Sequence, residues 1–552
     1  MFPLAAQAAK VTDLWVTGAV YESDQSAGNA ENMQDDAIHW WYSSKSRKYY
    51  LFLPAGADLS RMRIWFKSTA ESIDAGGKII VSGDPADFLK PGTEITVDAG
   101  NSYTLSVMQS AKVPAMFIST ESGSLNKIHS SKDYKETGKM VLLSPDGTLL
   151  YQGPLDQIKG RGNSTFVYPK KPYQIKLKEA ADLCDMGKAR TWILLANYED
   201  NSLLRNKIAF AMAQAAGMDY TSRSQAVDLY INNNYLGSYL LCEKVEIGDT
   251  RVDITDLEKA TEEVNEKPLE EFRSYGRDKQ LAGRSKGFQI PNNPEDITGG
   301  YLLELEKPHR YTPEVSGFKT RKGLPVVIKE PEHVSEAQAG YISSIIQTFE
   351  SAIFSEDGTD AKSGKHYTEL VDMDSLVKKY IMEEISKNFD GNRTSFFLYK
   401  PTDDESKKLF IGPVWDYDIA FGNFENERAK SLKLPNGFIT NADRGMSYYW
   451  FPELYEHEDF YEQVVKIYRA NFAPAIRILL GLDKDPAGEL LSLDEYAAGM
   501  EASAAMNFSR WQVFNASNRT IKTGKDYKEN IAYLKNFLSG RMAFLDENWV
   551  EP

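Results

Sequence analysis

Phe389-Asp390-Gly391-Asn392-Arg393-Thr394-Ser395-Phe396-Phe397-Leu398-Tyr399-Lys400, followed by Leu409-Phe410-Ile411-Gly412-Pro413-Val414-Trp415-Asp416-Tyr417-Asp418, is the stretch on which the reading of this chain turns. The aromatic and β-branched runs 396–400 and 409–411 predict two strands, and the polar link 401–408 joins them as an antiparallel hairpin. In such a hairpin the entrance of the first strand and the exit of the second lie side by side. Asp390 and Asp416 are therefore expected to converge at the open end. Convergent carboxylates suit a site where one orients or deprotonates an acceptor hydroxyl and the other holds a divalent cation against a phosphate. Asp418 extends the second carboxylate into an Asp-x-Asp.

Upstream, Leu376, Val377, Tyr380, Ile381 and Ile385 repeat with helical spacing and predict a helix over residues 375–388 that delivers Asp390. The strand Tyr301-Leu302-Leu303-Glu304-Leu305-Glu306 precedes it, and residues 451–549 read as mainly helical. Residues 258–296 are charged and aperiodic, as in a surface excursion. Val227, Leu229 and Ile231 alternate into Asn232-Asn233-Asn234, from which Tyr235 returns: a second hairpin, with Glu243 exposed on its strand unless something partners it. Asp200-Asn201-Ser202 supplies an N-cap, Leu204, Ile208 and Met212 a helical stripe, and Gly217 a C-terminal stop. Arg205 and Asn206, on the first turn, are placed to reach a phosphate or to cap and pair. Arg161, Lys170 and Lys171 sit in the Gly-rich, basic segment 158–177, where backbone and cations could meet an anion or form a solvated turn.

From residue 11 to 112 the pattern is different: short alternating apolar runs broken by Pro-Gly and Gly-Gly, as in a small antiparallel β-sandwich. Residues 1–10 resemble the tail of a signal peptide with an Ala-x-Ala site, which points to a secreted, cell-surface or periplasmic protein. The fold class expected is thus α+β, with an accessory module at 11–112 that would bind a glycan or a protein, and a second domain at 113–552.

Bulk composition narrows the function classes. With 64 Lys plus Arg against 79 Asp plus Glu, the formal charge of -15 argues against a nucleic-acid partner. Cys184, Cys242 and the 6 His show no zinc-ligand spacing. No run reaches the ~20 apolar residues that a membrane span needs.

Five ordered blocks together resemble the CotH kinase family. They are Lys159-Gly-Arg-Gly-Asn-Ser-Thr165 with Lys170-Lys-Pro-Tyr173; Asn197-Tyr-Glu-Asp-Asn-Ser-Leu-Leu-Arg-Asn206; Tyr235-Leu-Gly-Ser-Tyr239 leading to Glu243; Lys387-Asn-Phe-Asp-Gly391; and Gly412-Pro-Val-Trp-Asp-Tyr-Asp418 before Phe421-Gly422. The resemblance implies a divergent protein-kinase-like catalytic domain that binds ATP and Mg²⁺, with Mn²⁺ or Ca²⁺ as alternatives, and phosphorylates Ser or Thr of a protein substrate. Asp390 then matches the catalytic aspartate and Asp416 the metal-holding one, with Lys171 and its neighbour Lys170 facing phosphate, and Arg161, Arg205 and Glu243 as further nucleotide-side residues. Some relatives carry Asn five residues after the catalytic aspartate; here Ser395 stands there, so a second metal ligand falls to its hydroxyl or to Asp418. Two rival readings are a non-catalytic surface scaffold and, from Asp-x-Asp taken at face value, a sugar-nucleotide transferase.

Overall fold

The structure, a computed structural model, describes residues 10–18, 37–276, 285–391, 393–424, 430–440, 450–514 and 522–550. The signal-like start and the middle of the charged stretch, 277–284, lie outside the described residues. The architecture is α+β, as expected, with several sheets and many helices. By contacts the chain divides into two compact units. The first comprises Met1–Tyr198, Ser224–Cys242 and Ala497–Val513; the second comprises Glu199–Arg223, Glu243–Tyr496 and Phe514–Pro552.

In the first unit, alternation along the early strands builds a sandwich. One four-stranded sheet contains Val11–Thr17 and Arg63–Ser68, and a six-stranded sheet contains Lys48–Leu53, Ser102–Gln109 and Glu94–Asp98. Leu14, Val16 and Ile64 from one sheet and Leu51, Val97 and Leu105 from the other share a single apolar core. The expectation of a purely antiparallel module needs correcting, because Ser102–Gln109 runs parallel to Lys48–Leu53 with Leu105 opposite Tyr49.

Next along the chain is a closed barrel of seven strands that begins at Ala115–Thr120. It closes where that strand pairs in parallel with Ser224–Ile231, Ala115 lying opposite Asp228. Period-two alternation sends Met116 and Ile118 into the barrel core while Phe117 joins the sandwich core. The hairpin predicted at residues 232–234 is present: Asn232 and Asn233 adopt φ of 49° and 68°, the left-handed pair that a two-residue turn requires.

The second unit holds a five-stranded antiparallel sheet ordered Gly317–Lys319, Pro325–Glu330, Tyr301–Leu305, Phe396–Lys400, Phe410–Ile411. The predicted hairpin is its edge, with Leu398 opposite Ile411. Helix Met373–Ser386 starts where the Asp372 carboxylate accepts the Ser375 N–H and ends at Lys387, whose φ of 47° breaks it. Every residue from Leu376 to Ser386 is buried, so this helix is the core element on which the site stands. Further helices include Glu336–Ile353, opened by a Ser335/Gln338 capping box, and Tyr527–Asn548. Among the described residues no helix is long and apolar enough to cross a membrane. Cys184 and Cys242 are not joined in a disulfide.

Candidate functional site

Four residues beyond the buried helix, the chain reaches Asp390, and one side chain ties it to Asp416. Asn388 accepts the Asp390 N–H on Oδ1 at 3.2 Å and donates from Nδ2 to the Asp416 carbonyl at 3.1 Å. The peptide after Asp416 is held from its other side as well, because the Tyr417 N–H donates to Asn206 Oδ1 at 2.8 Å. Asp416 itself has φ of 70° and Ser395 φ of 57°. Non-glycine residues reach such angles only when the surroundings fix them, and two within one small region is the pattern of a constrained site. Ser395 Oγ donates to Asp416 Oδ2 over a long 3.4 Å.

Asp390 is 5% exposed, and its Oδ1 receives the Lys307 ammonium at 2.5 Å. Its carbonyl accepts the N–H groups of Arg393 and Thr394 at 3.0 and 3.1 Å, a tight turn into the strand. That strand pairs with Tyr301–Leu305, Leu305 opposite Phe396, so residues just past Leu305 arrive beside 394–395. Glu304 accepts the Ser395 N–H at 3.1 Å, Glu306 accepts the Thr394 hydroxyl, and Arg310 donates to Thr394 Oγ1 at 2.8 Å. Burial, reinforced by Glu306 and Glu314 and opposed by Lys329, pushes the Glu304 carboxyl up to about 7. Sequence reasoning missed Glu304, Glu306, Lys307 and Arg310; the alternation of acids after Leu303 was the one signal available.

Beneath the loop, Lys379 pairs with Glu383, and Tyr417 donates to the same Glu383 Oε1 at 2.7 Å. The other Glu383 oxygen faces Gly391, where a Cβ would lie 1.7 Å away. Glycine after Asp390 is thus a steric requirement of a buried carboxylate.

The remaining predicted residues divide between the units. Arg161, Lys170 and Lys171 belong to the first. Lys170 is 1% exposed and donates to Ser238 O and Asn507 Oδ1, while Lys171 donates to Phe166 O at 2.7 Å and Tyr168 O at 3.2 Å. Both ammonium groups are engaged by acceptors of their own unit. Arg205, Glu243, Asp390, Ser395, Asp416 and Asp418 belong to the second. Arg205 is fully buried, paired with Asp200 and donating from Nε to Ala420 O at 3.0 Å, so it caps and pairs as the second of its two readings allowed. Asp200 receives the Arg205 N–H at 2.8 Å and serves the helix start from five residues upstream. Glu243, expected to be exposed unless something partners it, has partners: it is 4% exposed and gripped by Arg223 at 2.9 Å and Arg251 at 2.6 Å, two cations that make its burial tolerable. Asp418 is buried and its carbonyl accepts Asn423 Nδ2 at 2.8 Å.

Among the described residues no three His, Cys, Asp or Glu side chains converge as a metal cage. The half-buried Asp416 with Ser395 Oγ offers oxygen donors alone. Such a set fits Mg²⁺, which keeps its waters and typically takes one or two carboxylates plus substrate phosphate oxygens.

Fold and site define an α+β protein in which the Asn388 side chain bridges the backbones of two loop aspartates that flank a β-hairpin. A family model described as CotH kinase protein matches residues 158–545, well over half of the chain, and the chain belongs to the CotH kinase family. No curated protein matches it.

Proposed function

We propose that this protein is an atypical, secreted protein kinase with a divergent kinase-like catalytic body, transferring the γ-phosphate of ATP to a Ser or Thr hydroxyl of a surface or extracellular protein. The observation that supports the reading is the Asn388 side chain, which links the Asp390 N–H to the Asp416 carbonyl. Asp390 orients the acceptor hydroxyl and takes its proton as the oxygen attacks the γ-phosphorus; the bond to the β–γ bridging oxygen breaks and ADP leaves with the electron pair. Asp416, with Ser395 and Asp418 as neighbouring oxygen donors, would hold Mg²⁺. The cation, once bound, supplies charge neutralisation of the nucleotide phosphates.

The test is radiolabelled phosphate transfer by the purified full chain to a generic Ser/Thr acceptor, with Asp390→Asn and Asp416→Ala beside it. Loss of transfer in both, with Asp416→Ala alone also losing the Mg²⁺-dependent thermal shift by ATP, supports the reading. Undiminished transfer in Asp416→Ala eliminates it. A non-catalytic scaffold is the second reading, favoured by the ion pair already occupying Asp390 and by Ser395; an ATP-Mg²⁺ thermal shift absent in the wild type would select it.

A further inference from the structure

The site contains a cation that no sequence motif announced, and its placement is specific. Lys307 follows strand Tyr301–Leu305 and forms the N-cap of helix Pro308–Tyr311, with φ of -70° and ψ of 146°. The proline after it favours this extended conformation, and its carbonyl accepts the Arg310 and Tyr311 N–H groups, both at 2.9 Å. The backbone that launches the side chain is therefore fixed on both sides. The ammonium ends 2.5 Å from Asp390 Oδ1 and 5.8 Å from the Phe389 ring centroid, with the side chain 19% exposed.

Other lysines around the helix are committed elsewhere. Lys379 is wholly buried against Glu383, Lys387 donates to the carbonyls of Ser431, Leu434 and Asn436, and Lys329 lies between Glu304 and Glu314. Among the described residues the ion pair made by Asp390 is with Lys307.

Resting on the phosphotransfer reading above, we infer that Lys307 is a positioning residue for Asp390: it holds one carboxylate oxygen, fixes the plane of the group, and leaves the other oxygen to receive the hydroxyl proton. Residues that hold a reacting group in place act on the transition state more than on substrate binding. Their loss lowers kcat and leaves KM for ATP nearly unchanged.

Steady-state kinetics of Lys307→Met and Lys307→Arg in the full chain test this. The Met variant is expected to lose about 100-fold in kcat with KM for ATP within about threefold of the wild type. The Arg variant, which keeps a cation able to grip a carboxylate, is expected to recover to within about tenfold. An unchanged kcat in Lys307→Met, a rise in KM for ATP with kcat intact, or an Arg variant no better than Met overturns the inference while phosphotransfer stands. A wild type that transfers no phosphate overturns both, and if Met fails to fold the Arg variant alone decides between rescue and loss.

Discussion

Asn206 and Asn388 hold the same peptide unit from opposite ends, one accepting its Tyr417 N–H at 2.8 Å and the other donating to its Asp416 carbonyl at 3.1 Å. The first comes from the opening turn of helix Arg205–Ala215 and the second from just past Met373–Ser386. Left-handed Asp416 is kept in place by this clamp more than by its own preference.

Removing one jaw leaves a buried polar group without its partner. Asn388→Ala is expected to cost about 1–3 kcal/mol in denaturant unfolding and to lower phosphotransfer by more than the Asn206→Ala change. The larger functional effect follows because Asn388 also holds the Asp390 N–H.

Gly391→Ala places a methyl group 1.7 Å from Glu383 Oε2, and Glu383 cannot retreat because Lys379 and Tyr417 hold its other oxygen. The expected loss is about 1–3 kcal/mol or more, read as a lower urea midpoint. Gly340→Ala is the control: nothing lies within 4 Å of a Cβ there, so inside helix Glu336–Ile353 the same change should stabilise by about 0.5–1 kcal/mol.

Arg541 joins helix Tyr527–Asn548 to the core helix through a fully buried pair with Glu384 at 2.7 Å and through the carbonyls of Glu384, Pro435 and Gly437. Arg541→Met should cost about 3–5 kcal/mol, since it takes the cation from a buried carboxylate, which keeps the Ile439 and Thr440 N–H donors, and a donor from three carbonyls. Thermal unfolding of the variant is the measurement.

Burial pushes the Glu330 carboxyl up from 4.5 to about 7, against the opposing Lys244 charge and the Ile247 N–H that it accepts at 2.8 Å. A carboxyl raised by folding binds more protons in the native state, so its contribution is complete below about pH 4.5 and is lost as pH rises through about 7. Glu330→Gln keeps an oxygen for Ile247 but does not titrate. The stability difference, variant minus wild type, should therefore grow by on the order of 2 kcal/mol between pH 5 and pH 8. A difference constant with pH would contradict the assignment.

The part of the site legible in the sequence was the part made by neighbours in the chain. Alternating apolar residues announced strands Phe396–Lys400 and Phe410–Ile411, and a short polar link made their pairing the simplest outcome. Nothing local said that Leu305 lies opposite Phe396, a register set by packing of whole strands, so Lys307 and the two glutamates before it stayed unseen. Glu243 stayed open for the same reason: an acid on a strand reads as exposed until Arg223 and Arg251, from other segments, are known to meet it. The helix opening at Arg205 was read from the right residues, although the cap acts through Asp200 from outside the first turn.

The threading of the chain bears on how the gene could be cut. A fragment ending at residue 198 would lack Ser224–Ile231, the strand that seals the barrel against Ala115–Thr120, and would carry that cylinder unzipped with a raw hydrogen-bonding border. Expression of the amino-terminal portion alone should yield clumping material, whereas the intact polypeptide supplies the missing staves from its later passages.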